Sequence, residues 1–170
     1  MALTRDCRLI RYGVGDGLEP RSYPIGASQQ LYSGAVALMS GSGATTTGYL
    51  KNAGTPGSAD LVVGMVGDPQ GTAYSVAPGL PTSSTDGGVW AGVQTGTFMI
   101  QSGTGSDLLS AATNGLTVYY GGENANGPIA CATSATSTRP VLGVQLPQDP
   151  GIAGGFSPGA NYWPIVVRGS

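Results

Sequence analysis

Leu116-Thr117-Val118-Tyr119-Tyr120 is followed by Gly121-Gly122-Glu123-Asn124-Ala125-Asn126-Gly127 and then by Ile129-Ala130-Cys131-Ala132-Thr133. A β-branched and aromatic run, a turn-rich break and a second apolar run follow one another within eighteen residues. Val, Ile, Thr and Tyr suit a pleated, half-buried surface, and glycine and asparagine take the backbone angles that turns require. The same alternation recurs along the chain. Candidate strands fall at 35–39, 48–51, 61–66, 89–94, 97–101, 116–120, 129–133, 141–146 and 162–168. Short strands at such spacing predict an all-β domain, a small β-barrel or β-sandwich of short antiparallel strands. One segment reads differently. Ser106-Asp107-Leu108-Leu109-Ser110-Ala111-Ala112-Thr113 has a capping residue at its start and Asn114-Gly115 at its end, which predicts one short helix. Pro164 inside the last candidate strand predicts an edge or a bulge there. No internal repeat of fixed period is evident.

Composition bounds the rest. The 170 residues include 30 glycines and 12 prolines, about a quarter of the chain, and no histidine. So much glycine and proline raises the question of disorder, but disorder pairs low hydrophobicity with high net charge. Here 40% of residues are hydrophobic, 9% are charged and the net charge is −2. The chain can bury a core. No apolar run approaches the ~20 residues of a membrane-spanning helix, and the first residues lack the apolar stretch of a signal peptide. A product of the cytosol is expected. Cys7 and Cys131 have no CxxC spacing and read as free thiols, a single bridge being the alternative.

Charge is placed unevenly. Arg5, Arg8, Arg11 and Arg21 stand in the first 21 residues, and the acids there are Asp6, Asp16 and Glu19. Residues 1–24 therefore read as an extended N-terminal arm, with a short strand at Cys7-Arg8-Leu9-Ile10-Arg11-Tyr12 and a glycine-rich joint at Gly13-Val14-Gly15-Asp16-Gly17. Residues 25–170 read as a single β domain.

Enzyme chemistry finds little to work with. Without histidine the usual general base near neutral pH is missing, as is the commonest transition-metal ligand. Gly155-Phe156-Ser157-Pro158-Gly159 matches the G-x-S-x-G nucleophile elbow. The residue after its serine is Pro158, which has no N–H to offer an oxyanion. Gly13-x-Gly15-x-Gly17 has the wrong spacing for a dinucleotide fingerprint, and no calcium-loop spacing of acids occurs. Seven basic residues in an acidic chain do not make a nucleic-acid surface. The reading is a non-enzyme with no cofactor, no metal, no nucleic acid and no membrane. Trp90, Phe98, Tyr119 and Trp163 fall in strand patterns and read as core. Trp90 also joins Tyr74 and Phe156 as a candidate oligomer or loop interface, because exposed aromatics anchor interfaces. A body with so few charges has a weakly hydrated surface, which favours association.

The order of motifs resembles the tailed-phage capsid cement proteins, also called head decoration proteins. The carriers are Ala27-Ser28-Gln29-Gln30-Leu31-Tyr32-Ser33-Gly34-Ala35-Val36-Ala37, Gly48-Tyr49-Leu50, Val62-Val63-Gly64-Met65-Val66 and Val93-Gln94-Thr95-Gly96-Thr97-Phe98. Leu116-Thr117-Val118-Tyr119-Tyr120, Ser137-Thr138-Arg139-Pro140-Val141-Leu142-Gly143-Val144 and the closing strand Tyr162-Trp163-Pro164-Ile165-Val166-Val167 complete the series. The Thr-Arg-Pro-Val-x-Gly-Val element is the most specific, and the resemblance covers residues 25–168. It implies a structural protein on the outside of the virion capsid, made in the host cytoplasm, without catalysis. The implied partners are the major capsid protein and further copies of the chain, a homotrimer being expected and a dimer the alternative. On this reading Arg5, Arg8, Leu9, Ile10, Arg11 and Tyr12 form the capsid interface. The alternative function is a phage tail, baseplate or surface β-module that binds glycan or a protein receptor through loop aromatics.

Overall fold

The computed structural model describes residues 8–12, 21–26, 29, 31–32, 34–41, 48–51, 54, 56–67, 90–124, 127–132, 139–148 and 161–169. Within them lie eleven strands and no α-helix. In chain order these are β1 (Arg8–Tyr12), β2 (Arg21–Pro24), β3 (Val36–Met39), β4 (Leu50–Lys51), β5 (Leu61–Val66) and β6 (Trp90–Gln94). They continue with β7 (Gly96–Ser102), β8 (Thr117–Asn124), β9 (Gly127–Cys131), β10 (Val141–Gln145) and β11 (Tyr162–Val167).

The strands form two sheets. One runs β2-β6-β5-β3-β4 and is antiparallel. The other runs β1-β7-β11-β10-β8-β9 and closes on itself, because β7 also pairs with β9. That closing pair is parallel, Gln101 opposite Ile129 and Ser102 opposite Ala130, so β7 to β11 make a mixed five-stranded barrel. Closure removes the free edges that make open sheets sticky. The first sheet nearly does the same: Ile25 and Leu50 form a lone parallel bridge between its two ends, and the Gly26 N–H donates to the Leu50 carbonyl at 2.7 Å.

The two units share one design. With strands numbered within each unit, both have the order 1-5-4-2-3 and a parallel contact between strands 1 and 3. Both carry the same β-bulge. Val36, Ala37 and Leu38 face Met65, Gly64 and Val62, skipping Val63. Thr117, Val118 and Tyr119 face Val144, Gly143 and Val141, skipping Leu142. A glycine with positive φ precedes the second strand in each, Gly34 at 82° and Gly115 at 81°. The Gly34 N–H donates to the Val66 carbonyl at 2.8 Å and the Gly115 N–H to the Gln145 carbonyl at 2.9 Å. This duplication is one of structure and not of sequence period. Differing loop lengths change the sequence offset between matching strands, so no fixed period survives in the chain.

Two expectations are corrected. The residues expected to form one short helix make two separate 3₁₀ turns, Gly105–Asp107 and Ala111–Thr113, with Leu108 extended between them. Leu109 is buried, and its N–H donates to the Ser102 hydroxyl at 2.6 Å. Tying the chain down at that point breaks any continuous helical ladder. Pro164 lies at neither an edge nor a bulge: β11 runs between β7 and β10, and Pro164 pairs with Met99 in regular register. Its carbonyl accepts from the Leu146 N–H at 2.8 Å, while the β10 ladder ends at Gln145. The missing donor therefore faces the place where pairing stops.

Two clusters make the core. Ile25, Leu31, Ala35, Ala37, Leu50, Val63, Val66, Ala91 and Val93 fill the first unit. Phe98, Ile100, Val118, Tyr120, Leu142, Ile165 and Val167 fill the barrel, and Val36, Leu38, Val62 and Met65 of the first unit join them. Alternation along β3 sends Ala35 and Ala37 inward and Val36 and Leu38 across to the barrel. Fully burying side chains of this size stabilises by about 1.5–3 kcal/mol each.

Candidate functional site

Carboxylates show whether the fold assembles a reactive centre. Asp60 is buried and pairs with Lys51. Asp107 accepts from the Arg139 guanidinium at 3.1 Å in a half-buried pair. Glu123 lies near the end of β8, where one carboxylate oxygen is buried without a partner. Burial pushes its carboxyl above the ordinary carboxylate value, and a backbone hydrogen bond at Val36 offsets part of that rise. Asp60 and Asp107 pair with cations and Glu123 with backbone, not with one another. Among the described residues no three of His, Cys, Asp and Glu cluster as metal ligands would. Cys131 is free and buried, and burial raises its thiol pKa, so its thiolate is not poised for attack.

The features left are surfaces. Arg8–Tyr12 is a strand, as its sequence predicts, and it lies along β7. Arg8 faces Met99, Leu9 faces Phe98, Arg11 faces Thr97 and Tyr12 faces Gly96, with Ile10 bulged out of register. β1 comes first in the six-strand order, so its other edge has no strand partner among the described residues. Arg5, Cys7, Tyr74 and Phe156 lie outside the described residues. Trp90 opens β6 opposite Pro24. Phe98 is buried, Trp163 packs partly buried on the barrel cluster and Tyr119 is half-buried. Tyr120, its neighbour, is the fully buried aromatic. Tyr23 and Tyr32 pack against the first unit's cluster.

Two surface features escape a strand-by-strand reading of the sequence. The segment between β7 and β8 is fastened to the barrel by Gln145, whose side chain is fully buried at the end of β10. Its amide nitrogen donates to the Ser110 carbonyl and the Asn114 side chain, both at 2.8 Å. Its amide oxygen accepts from the Thr113 hydroxyl at 2.7 Å. This fixed segment leaves Leu108 and Leu116 about half exposed, at 47% and 49%. The second feature is a shallow groove of about 140 Å³ where the units meet, lined by Val62, Thr117, Val141, Val144, Val166 and Arg168 among others. A glutamine in a strand reads as an exposed polar position, and no alternation pattern marks it as buried. Comparison of the chain with protein-family models, with curated proteins and with solved structures gives no match.

Proposed function

We propose that this chain is a non-enzymatic structural protein that binds the outside of an assembled phage capsid and clamps neighbouring major capsid subunits together. The observation that carries this reading is the joining of a nearly uncharged two-unit β body to an arginine-bearing strand at its edge. The open edge of β1 suits main-chain pairing with an extended segment of a capsid subunit, and Arg8 and Arg11 suit acidic groups beside it. The resemblance of residues 25–168 to cement proteins, in the order of their motifs, supports the same reading. A protein that binds the closed shell but not free subunits stabilises the shell by mass action. Several copies joined in one oligomer gain avidity.

The test is deletion of residues 1–15 followed by measurement of occupancy on purified heads that lack the protein. Full-length chain should saturate the heads, and the deleted chain should bind at least tenfold more weakly. Undiminished occupancy would remove the arm from the interface. Strong binding to a glycan array without head binding would favour the surface-module alternative.

A further inference from the structure

The two units correspond residue for residue at the place where each one closes. Their shared bulge register makes Val62 and Met65 the counterparts of Val141 and Val144. On the third strand of each unit, Leu50 opposite Met39 corresponds to Ala130 opposite Tyr120. On the fifth strand, Val93 opposite Val66 corresponds to Ile165 opposite Gln145. Arg21 faces Val93 and Phe98 faces Ile165, so Pro24 stands where the barrel has Gln101. One backbone hydrogen bond is the same in both. The Gly26 N–H donates to the Leu50 carbonyl and the Gly103 N–H to the Ala130 carbonyl, each at 2.7 Å. Beside that bond the barrel pairs both Ser102 with Ala130 and Gln101 with Ile129. Among the described residues the first unit has the single bridge of Ile25 with Leu50.

Pro24 accounts for the missing pair. N–H groups two residues apart on a strand point the same way, so the Gly26 N–H, aimed at Leu50 of β4, marks the direction for position 24. Proline has no N–H to send there and cannot donate to a ladder on that side. We propose that the seam between β2 and β4 is a latch: it opens while the barrel stays closed, and Pro24 sets how readily it does so. Ile25 and Leu50 hold it shut, both buried in the first unit's own cluster. β4 contributes only two residues, so little backbone pairing is broken when the seam parts, as in other local openings. An open latch lets β2, the last strand of the segment 1–24, shift against a closed barrel. The use of that movement in gripping a capsid rests on the clamping reading. The latch itself is tested without heads, so either can fail alone.

The experiment is native-state amide hydrogen exchange of the full chain, comparing the matched amides of Gly26 and Gly103. Gly26 should be protected about tenfold less than Gly103 or lower still. Gly34, bonded to the Val66 carbonyl away from the seam, should stay better protected than Gly26. Pro24→Gln gives the first unit the residue that the barrel has there, and Pro24→Ala restores the N–H with a smaller side chain. Each should raise the protection of Gly26 relative to Gly103 by about tenfold, through the second pair that the N–H permits. The wild-type comparison reports even where neither variant folds. Equal protection of Gly26 and Gly103 in the wild type would overturn the proposal. So would Gly34 exchanging as fast as Gly26, or folded Pro24 variants that leave the ratio unchanged.

Discussion

The first unit and the barrel share strand order, bulge and glycine placement, yet they solve the problem of closure differently. The first unit meets itself at one bridge, Ile25 with Leu50. The barrel closes through two parallel pairs, and β1 lies along the part of β7 that β9 leaves free. Their interiors also diverge at one matched position. Val66 of the first unit joins a purely apolar cluster. Gln145 of the barrel is equally buried but holds the 3₁₀ segment through three side-chain hydrogen bonds. The comparison separates what the fold requires from what one unit has added to it. The bulge and the positive-φ glycine are required, since both units keep them. The glutamine and the appended strand are additions, and they concentrate on the unit that carries β1.

The largest expected effects test the shared part. A Cβ at Gly143 would stand 2.1 Å from the Val166 carbonyl oxygen, and one at Gly64 would stand 2.6 Å from the Gln94 carbonyl oxygen, with φ at 150°. Gly143→Ala and Gly64→Ala should each destabilise the chain by about 3 kcal/mol or more, read by chemical denaturation, because backbone must move to admit the methyl group. A mild effect in one unit and a severe one in the other would break the equivalence. Next come two buried leucines, Leu31 in the first unit and Leu109 between the two 3₁₀ turns. Leu31→Ala and Leu109→Ala should each cost about 2–5 kcal/mol.

Gln145→Val gives the barrel the residue that the first unit has at this position. It should cost about 1–3 kcal/mol through the partners left unpaired, and proteolysis should become faster within 103–115. The reverse change, Val66→Gln, has no matching network to enter and should cost at least as much.

Glu123 supplies a pH test. Its folded-state carboxyl titrates above the ordinary value, so the native state binds its proton more tightly than the unfolded chain does. Its contribution is favourable below pH ~4.5 and is lost as pH rises through the folded-state pKa. Glu123→Gln should remove that loss and make the chain relatively more stable than wild type at neutral pH, measured as melting temperature against pH. The smallest effect belongs to Asp107→Asn, which breaks a partly exposed ion pair with Arg139 and should cost less than about 1 kcal/mol.

Much of the strand layout is legible in the sequence, and the reasons are local. The run 61–66 is a strand to the residue, and 162–167 and 141–145 differ from expectation only at their ends. Each is a β-favouring run bounded by turn residues, so its periodicity is written in adjacent positions. The 3₁₀ turns are not legible, because Leu109 is held by Ser102 and Gln145 stands over 30 residues away from the turns it anchors. Pro164 misleads because its effect depends on where a neighbouring ladder ends. The duplication hides for a similar reason: Gly64 and Gly143 match by register, while the loops between matched strands have changed length. Of the residues proposed for the capsid interface, the strand at Arg8–Tyr12 is visible as a pattern, but its seat on β7 is a tertiary fact. The half-exposed Val141 looks like any strand valine until it is set beside Val62.

The proposed clamping role rests on preference for the closed shell. The most direct measurement is the number of copies bound per purified head, compared with binding to unassembled major capsid protein at matched concentration, together with the temperature at which the heads disrupt. Saturable binding to heads, a raised disruption temperature and at least tenfold weaker binding to free subunits are the expected results. Equal binding to heads and free subunits, or occupancy that leaves the disruption temperature unchanged, would contradict it.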